Sequence, residues 1–208
     1  MSNESYWQRD IRSVWHPYSK IAEIESEPFP TIVRGEGVYL FDADGNRYID
    51  GISSWWACSL GHGHPRIVEA IKRQADALQH SMIGGMSHPV VIELAERLTA
   101  ICPDMLNKVF FASDGSSAVE AAIKIATQYW QNIGKTSKTR FASIDGGYHG
   151  DTLGAVSVGM VESFHKAYRP LLFEAYKAES PYCYRCPKGK GSFGKGVSRN
   201  NDNDKRSF

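Results

Sequence analysis

The stretch Ser113-Asp114-Gly115-Ser116-Ser117-Ala118-Val119-Glu120 joins an apolar run, Val109-Phe110-Phe111-Ala112, to a long amphipathic segment, and no other feature restricts the folds open to this chain so much. It reads as strand, tight turn and helix. The apolar positions Ala121, Ala122, Ile125 and Tyr129 repeat at helical spacing, so the helix is predicted from Ala118 to about Asn132, with Gly134 stopping it. Gly115 allows the backbone to approach a ligand closely, and the hydroxyls of Ser116 and Ser117 stand beside first-turn amides that have no intrahelical partner. A turn of this kind seats a phosphate. Ser and Asp also cap helices that bind nothing, so the turn alone leaves a phosphate seat and a plain cap both open.

A second junction decides between them. Phe141-Ala142-Ser143-Ile144 reads as a short strand, and Gly146-Gly147-Tyr148-His149-Gly150-Asp151 follows as another glycine-rich loop. Two strands separated by one helix, each ending in such a loop, predict a right-handed βαβ unit of an open α/β sheet. Ligands of these sheets lie beyond the carboxyl ends of the strands, so both loops point to one place, and the phosphate seat becomes the better reading.

The chain before this unit has a different texture. Trp7, Trp15 and His16-Pro17-Tyr18 predict a short helix followed by an irregular arm, while Ile32-Val33, Val38-Tyr39-Leu40-Phe41 and Tyr48-Ile49 are β-rich runs. Asp44-Gly45 separates two of them as a hairpin turn, helped by Asp42 and Asn46. The segment 53–65 is too long and irregular for a simple turn, and the adjacent Trp55 and Trp56 need either a core or a ligand to cover them. His62 and His64 lack further Cys or His at ligand spacing, so no metal site is expected. Pro65 opens a helix ending near His80, and Pro89 opens another that Pro103 stops.

Composition excludes whole classes of partner. A net charge of +1, from 24 basic and 23 acidic residues among 208, provides no field for nucleic acid or an acidic membrane surface, so a small molecule is the expected partner. No apolar run approaches the roughly 18 residues of a membrane span, and residues 1–10 are too polar for a signal peptide. A cytoplasmic location is expected. Cys58, Cys102, Cys183 and Cys186 are too sparse for a disulfide framework and are expected as free thiols; Cys183 and Cys186 form one C-x-x-C without the second pair that zinc needs. Residues 188–208 are polar and cannot build a core. Their P-loop-like run at 189–196 places Gly196 where a magnesium-binding Ser or Thr belongs, so it is a decoy.

Taken together, these residues resemble a class III, pyridoxal-phosphate-dependent aminotransferase of fold type I, over residues 6 to about 187. His16-Pro17-Tyr18, Asp50-Gly51-Ile52-Ser53-Ser54-Trp55-Trp56 and Gly147-Tyr148-His149-Gly150-Asp151 narrow the resemblance to members serving biotin biosynthesis. These pass an amino group, from S-adenosylmethionine as the proposed donor, to 8-amino-7-oxononanoate, giving 7,8-diaminononanoate. The resemblance implies that Gly115 and Ser116 hold the phosphate of pyridoxal 5'-phosphate and that Tyr148 stacks on its pyridine ring. It also implies that Tyr18 and Trp55 line the substrate site with Tyr148, and that Asp151 is a polar group close to cofactor and substrate.

The same resemblance implies an α/β fold that is incomplete: an N-terminal α+β segment, the arm and β-hairpin of the small domain, over 1–60 and the first part of the large mixed or parallel-sheet domain over 61–187; residues 188–208 do not match the family and are expected as a polar tail, disordered or non-native. The family's Schiff-base lysine belongs to a later part of the large domain, and none of the lysines here matches its motif, so no catalytic residue is assigned. A truncated chain, inactive alone, is therefore expected, from an enzyme that is a homodimer at full length. Another class III ω-amino-acid aminotransferase, or a non-catalytic partner of a full-length subunit, are the alternatives.

Overall fold

The computed structural model describes residues 4–186, so the expectations for 188–208, including the glycine-rich run, lie outside the described residues. The chain packs as two compact units, the first ending at Ile92 and the second beginning at Glu93.

In the first unit, helix α1 (Tyr6–Ser13) opens with a reciprocal cap, in which Ser5 Oγ accepts from Gln8 N at 3.2 Å and Gln8 Oε1 accepts from Ser5 N at 2.9 Å. The arm after it is less irregular than expected, because a second short helix, α2 (Ile21–Ser26), forms there. Trp7 Nε1 donates to Ile24 O at 3.1 Å and ties the two together, a tertiary bond that no local periodicity announces. Strands β1 (Ile32–Glu36), β2 (Tyr39–Asp42) and β3 (Arg47–Ile49) make an antiparallel sheet in the order β1-β2-β3, as the runs of β-branched and aromatic residues predict.

The register of this sheet has a physical source at its turn. Asp42 is buried, and its two carboxylate oxygens accept from Asp44 N, Asn46 N, Asn46 Nδ2 and Tyr48 Oη at 2.7 to 3.0 Å. Those hydrogen bonds, the Asn46 side chain foremost, hold its carboxyl below the ordinary carboxylate range. The Arg34 guanidinium lies 3.6 Å from the centroid of the Phe41 ring opposite it, and Arg47 lies 4.5 Å from that of Tyr39. Two further helices, α4 (Pro65–Ala77) and α5 (Pro89–Ala100), start at prolines as expected. Between sheet and α4 lies a four-residue turn, α3 (Ser53–Trp56), of left-handed sense.

In the second unit the long helix α6 (Gly115–Asn132) starts three residues earlier than predicted, so Gly115 and Ser116 belong to its first turn rather than to a loop before it. The run 109–112 is not a strand. A strand exists by its hydrogen-bonded ladder, and no described residue pairs with this run; Phe110 stays 69% exposed. The parallel pair lies one step later in the chain than expected: β4 (Phe141–Ile144) pairs in parallel with β5 (Ala175–Ala178), which the sequence reading missed. Their connection contains α7 (Leu153–Val158), α8 (Glu162–His165) and a 3-10 turn at Lys166–Leu171.

The buried apolar residues lie in that crossover. Ala155 and Val156 of α7 are almost fully buried, with Val158 beside them. Phe141 and Phe173 meet with ring centroids 5.7 Å apart, and Lys177 Nζ donates to Ser143 Oγ and Val158 O at 2.9 and 3.1 Å. The N-terminus of α7 is held by another helix, for Gly154 N donates to Glu120 Oε1 at 2.7 Å. A carboxylate at that end replaces a missing intrahelical partner and meets the positive pole of the helix. Glu120→Ala is expected to lower unfolding free energy by about 1 kcal/mol, the size of a lost N-cap. The urea midpoint should fall at constant slope, and Glu120→Gln, which keeps an acceptor oxygen, should recover part of it.

All four cysteines are free thiols. Among the described residues, no helix is long and apolar enough to cross a membrane.

Candidate functional site

The start of α6 is an ordered set of donors. Asp114, in extended backbone at φ −159°, caps the helix: its Oδ1 accepts from Ser117 N at 2.8 Å and its Oδ2 from Ser117 Oγ at 2.9 Å. These two bonds depress its carboxyl below the usual value and turn the charge onto Ser117. Of the two serines the sequence offered, Ser117 is therefore spent on capping with amide and hydroxyl, and the Ser116 amide also turns toward the Asp114 carboxylate, which leaves the Ser116 hydroxyl outside the cap. A Cβ built on Gly115 would meet nothing within 4 Å. The space beside the Gly115 Cα is therefore open, and a helix N-terminus with a serine hydroxyl supplies the kind of donors that a phosphate accepts from.

The second glycine-rich loop closes onto the same turn. Asp151 N donates to Ser116 Oγ at 3.3 Å, and Gly150 has a φ of +111°. A Cβ on Gly150 would lie 1.8 Å from Ser116 Oγ, so only glycine allows the loop this close. Tyr148 Oη donates to Asp151 Oδ2 at 2.8 Å, and the residue remains 53% exposed. Ser116 and Glu120 are four residues apart and share one face of α6. From that face Ser116 holds the loop at Asp151, and Glu120 holds the helix after it at Gly154. The expected companions Gly115, Ser116, Tyr148 and Asp151 thus form one cluster, although the strand expected to lead into it does not form.

His165 belongs to this cluster and was not singled out from the sequence. It is 2% exposed, its Nε2 lies 2.9 Å from Asp151 Oδ1, and its Nδ1 accepts from Val161 N at 3.0 Å. Its ring lies nearly parallel to that of Tyr148, 13° between planes and 6.1 Å between centroids. No local pattern marks a histidine 14 residues from its carboxylate partner. Glu120 was legible in principle, because its spacing from Ser116 puts both on one face.

Tyr18 and Trp55 come together in the first unit, with ring centroids 5.5 Å apart. Both have positive φ, +56° and +65°, and Trp55 is one of four consecutive left-handed residues from Ser53 to Trp56. For non-glycine residues each such conformation costs roughly 1–2 kcal/mol, so surrounding bonds must impose it. Asp50 supplies them: Oδ1 accepts from Ser54 N at 2.9 Å, Oδ2 accepts from Ser54 Oγ at 2.8 Å, and His62 Nε2 lies 2.7 Å from Oδ2. The hydrogen bond from Ser54 N, followed by that of His62, pulls the Asp50 carboxyl down to about 2. His62 is itself anchored to the sheet, since it exchanges backbone hydrogen bonds with Gly37 at 2.8 and 2.9 Å and its ring covers Gly35. Its imidazole serves the aspartate and the turn. Trp56 is 76% exposed, and Trp55, at 57%, is the one that meets Tyr18.

The family model described as "Aminotransferase class-III" matches residues 21–195. The adenosylmethionine-8-amino-7-oxononanoate aminotransferase of Geobacter sulfurreducens is 46% identical over 181 residues, covering 87% of this chain and 40% of that protein. The crystal structure of the enzyme of the same name from Methanocaldococcus jannaschii matches with a TM-score of 0.80 at 46% identity, over 85% of this chain and 40% of that one. An omega transaminase from Pseudomonas jessenii, solved in complex with PMP, matches with a TM-score of 0.80 at 30% identity, over 88% of this chain and 41% of that one. The chain spans about 40% of the length of the relatives it matches.

Proposed function

The chain belongs to the class III aminotransferases, and from that premise we propose that it carries the pyridoxal-phosphate seat and part of the substrate wall of an enzyme that aminates 8-amino-7-oxononanoate, with S-adenosylmethionine as donor, to 7,8-diaminononanoate. The observation that carries the reading is the closure of the 147–151 loop onto Ser116, which places a hydroxyl, the first turn of α6 and the exposed Tyr148 in one cluster. Pyridoxal phosphate, when bound, supplies an electron sink through which an amino group changes carriers. The chain's own residues bind and orient. Gly115 and Ser116 take the phosphate on backbone amides and one hydroxyl at the positive end of α6. Tyr148 offers a flat face to the pyridine ring, and Asp151 holds the Tyr148 hydroxyl. Tyr18 and Trp55 offer apolar surface suited to a long carbon chain.

On this reading, residues 1–60 belong to the small domain of the family and 61–187 to the large one; a homodimer and a cytoplasmic location come with the family. No lysine of this chain is given a catalytic role. An ω-amino-acid acceptor is the second reading, favoured by the likeness to the Pseudomonas jessenii protein at lower identity.

Equilibrium titration tests the proposal. Pyridoxal 5'-phosphate is expected to quench the tryptophan fluorescence of the chain saturably, and inorganic phosphate should compete. Ser116→Ala should weaken binding about ten-fold, the size of one hydrogen bond to a charged group. Trp55→Ala should leave that affinity unchanged and remove binding of 8-amino-7-oxononanoate. Absence of saturable quenching in the unaltered chain would end the seat reading, retention of 8-amino-7-oxononanoate binding by Trp55→Ala would remove Trp55 from the substrate wall, and binding of an ω-amino acid in place of 8-amino-7-oxononanoate by the unaltered chain would favour the second reading.

A further inference from the structure

The cluster around Ser116 contains one buried titratable group that the proposed chemistry does not use. His165 closes helix α8, is 2% exposed, and sits between a backbone amide and a carboxylate. An amide N–H can only donate, so the Nδ1 that receives Val161 N at 3.0 Å carries a lone pair. The ring proton is then on Nε2, and the contact of 2.9 Å to Asp151 Oδ1 is an Nε2–H donation to the carboxylate. Asp151 Oδ2 accepts from the Tyr148 hydroxyl, while Asp151 N donates to Ser116 Oγ. One chain of hydrogen bonds therefore runs from the Val161 amide through His165 and Asp151, and branches to Tyr148 and to Ser116.

Asp151 is a partly exposed side chain on a glycine-rich loop, and its Tyr148 partner is exposed as well, so neither fixes the other by burial. With the imidazole, one carboxylate oxygen is pinned by a donor that is itself fixed by a helix, and the remaining oxygen is aimed at Tyr148. The near-parallel stack of the His165 and Tyr148 rings adds a packing wall that limits the tilt of the tyrosine.

We infer that His165 is the positioning residue of this site: held by the Val161 amide in its Nε2–H tautomer, it orients Asp151, and through Asp151 both the Tyr148 ring and the loop that closes on Ser116. The inference rests on the reading of Ser116 and Tyr148 as a cofactor seat, and it names the group that sets the geometry of that seat.

The two halves of the imidazole can be tested apart in the full 208-residue chain. His165→Gln keeps a donor near the Nε2 position and loses the Nδ1 acceptor; His165→Asn keeps an acceptor near Nδ1 and loses the reach to Asp151; His165→Phe loses both. Nitrogen-15 NMR of the unaltered chain is expected to show an Nε2–H imidazole for His165, and the carboxyl carbon of Asp151 should shift in His165→Asn and His165→Phe more than in His165→Gln. In the pyridoxal 5'-phosphate titration, His165→Gln should bind within about two-fold of the unaltered chain, and His165→Asn and His165→Phe about ten-fold more weakly, the size of a hydrogen bond to a carboxylate. A role in packing alone predicts instead that His165→Phe, which replaces the imidazole by another flat aromatic ring, is tolerated best. An Nδ1–H tautomer, or equal affinities for His165→Gln and His165→Asn, overturns the inference. If the unaltered chain fails to bind pyridoxal phosphate, the seat reading fails, while the tautomer and the Asp151 carboxyl signal still decide whether His165 positions that carboxylate.

Discussion

Gly150→Ala is expected to be the most damaging single methyl group that can be added to the second unit. Two costs combine at this position. A φ of +111° is one that residues with a side chain rarely adopt, a strain of roughly 1–3 kcal/mol. The new Cβ would also sit 1.8 Å from Ser116 Oγ and 3.1 Å from Ser116 Cα, so the loop cannot keep its place against α6. Withdrawal of the loop breaks the Asp151 N to Ser116 Oγ hydrogen bond and carries Tyr148 away with it. Urea unfolding should show a midpoint lowered by about 2–4 kcal/mol of stability at unchanged slope, and pyridoxal 5'-phosphate titration should show affinity reduced beyond measurement. A second substitution separates the two costs. In Gly150→Ala with Ser116→Gly the overlapping hydroxyl and its carbon are gone, so part of the stability should return while phosphate binding stays weak. An alanine variant as stable as the unaltered chain would show that the loop does not close on Ser116 as described.

Asp50 controls the second large effect, in the first unit. Four left-handed residues in succession, Ser53 to Trp56, would relax without a partner, and Asp50 provides bonds to both the amide and the hydroxyl of Ser54. Its carboxyl is held near 2, below its ordinary 3.8. A carboxyl depressed on folding stabilises the fold fully above its unfolded value and loses that contribution as pH falls through the folded one. The Trp55–Tyr18 contact is therefore expected to persist at neutral pH and to disappear between about pH 4 and pH 2. Near-UV circular dichroism follows it. Asp50→Asn removes the charge without acid, and at pH 7 it should reproduce the low-pH signal with the far-UV spectrum largely retained. An Asn variant with the near-UV spectrum of the unaltered chain would sink the assignment of Asp50 as the clamp of this turn.

Much of this architecture was legible as local chemistry. The β-hairpin run was marked by Asp44-Gly45 between β-rich segments, and the structure adds that Asp42, rather than the glycine alone, organises the turn with four hydrogen bonds. Prolines at 65 and 89 marked helix starts, and Gly134, at φ +77°, marked the end of α6. The pairing of the Gly115-Ser116 turn with the Tyr148-Asp151 loop was also expected, because each glycine-rich loop lies between a β-rich or apolar run and a helix. The route to that pairing was misjudged. An apolar run such as 109–112 has the composition of a strand, but strand formation depends on a neighbour that composition cannot supply. The partner of β4 is β5, whose Ala175, Tyr176, Lys177 and Ala178 have no period strong enough to announce it.

What the amino-acid order settled by itself was the set of short-range devices: the turn at 113–117 that opens α6, the glycine-rich loop at 146–151, the tight turn at 44–45, and the proline starts of two helices. Those depend on backbone freedom and hydrogen bonds between residues a few positions apart, which spacing alone specifies. Tertiary structure decided which of these devices meet and which side chains hold them. His165 reaches Asp151 across 14 positions, Gly154 reaches Glu120 across 34, and His62 reaches Asp50 across 12 while locked to Gly37. Each of these contacts costs chain entropy to close and is stable only inside the packed unit that closes it, so the residues that fix the site's geometry carry no mark of that role until the chain has folded.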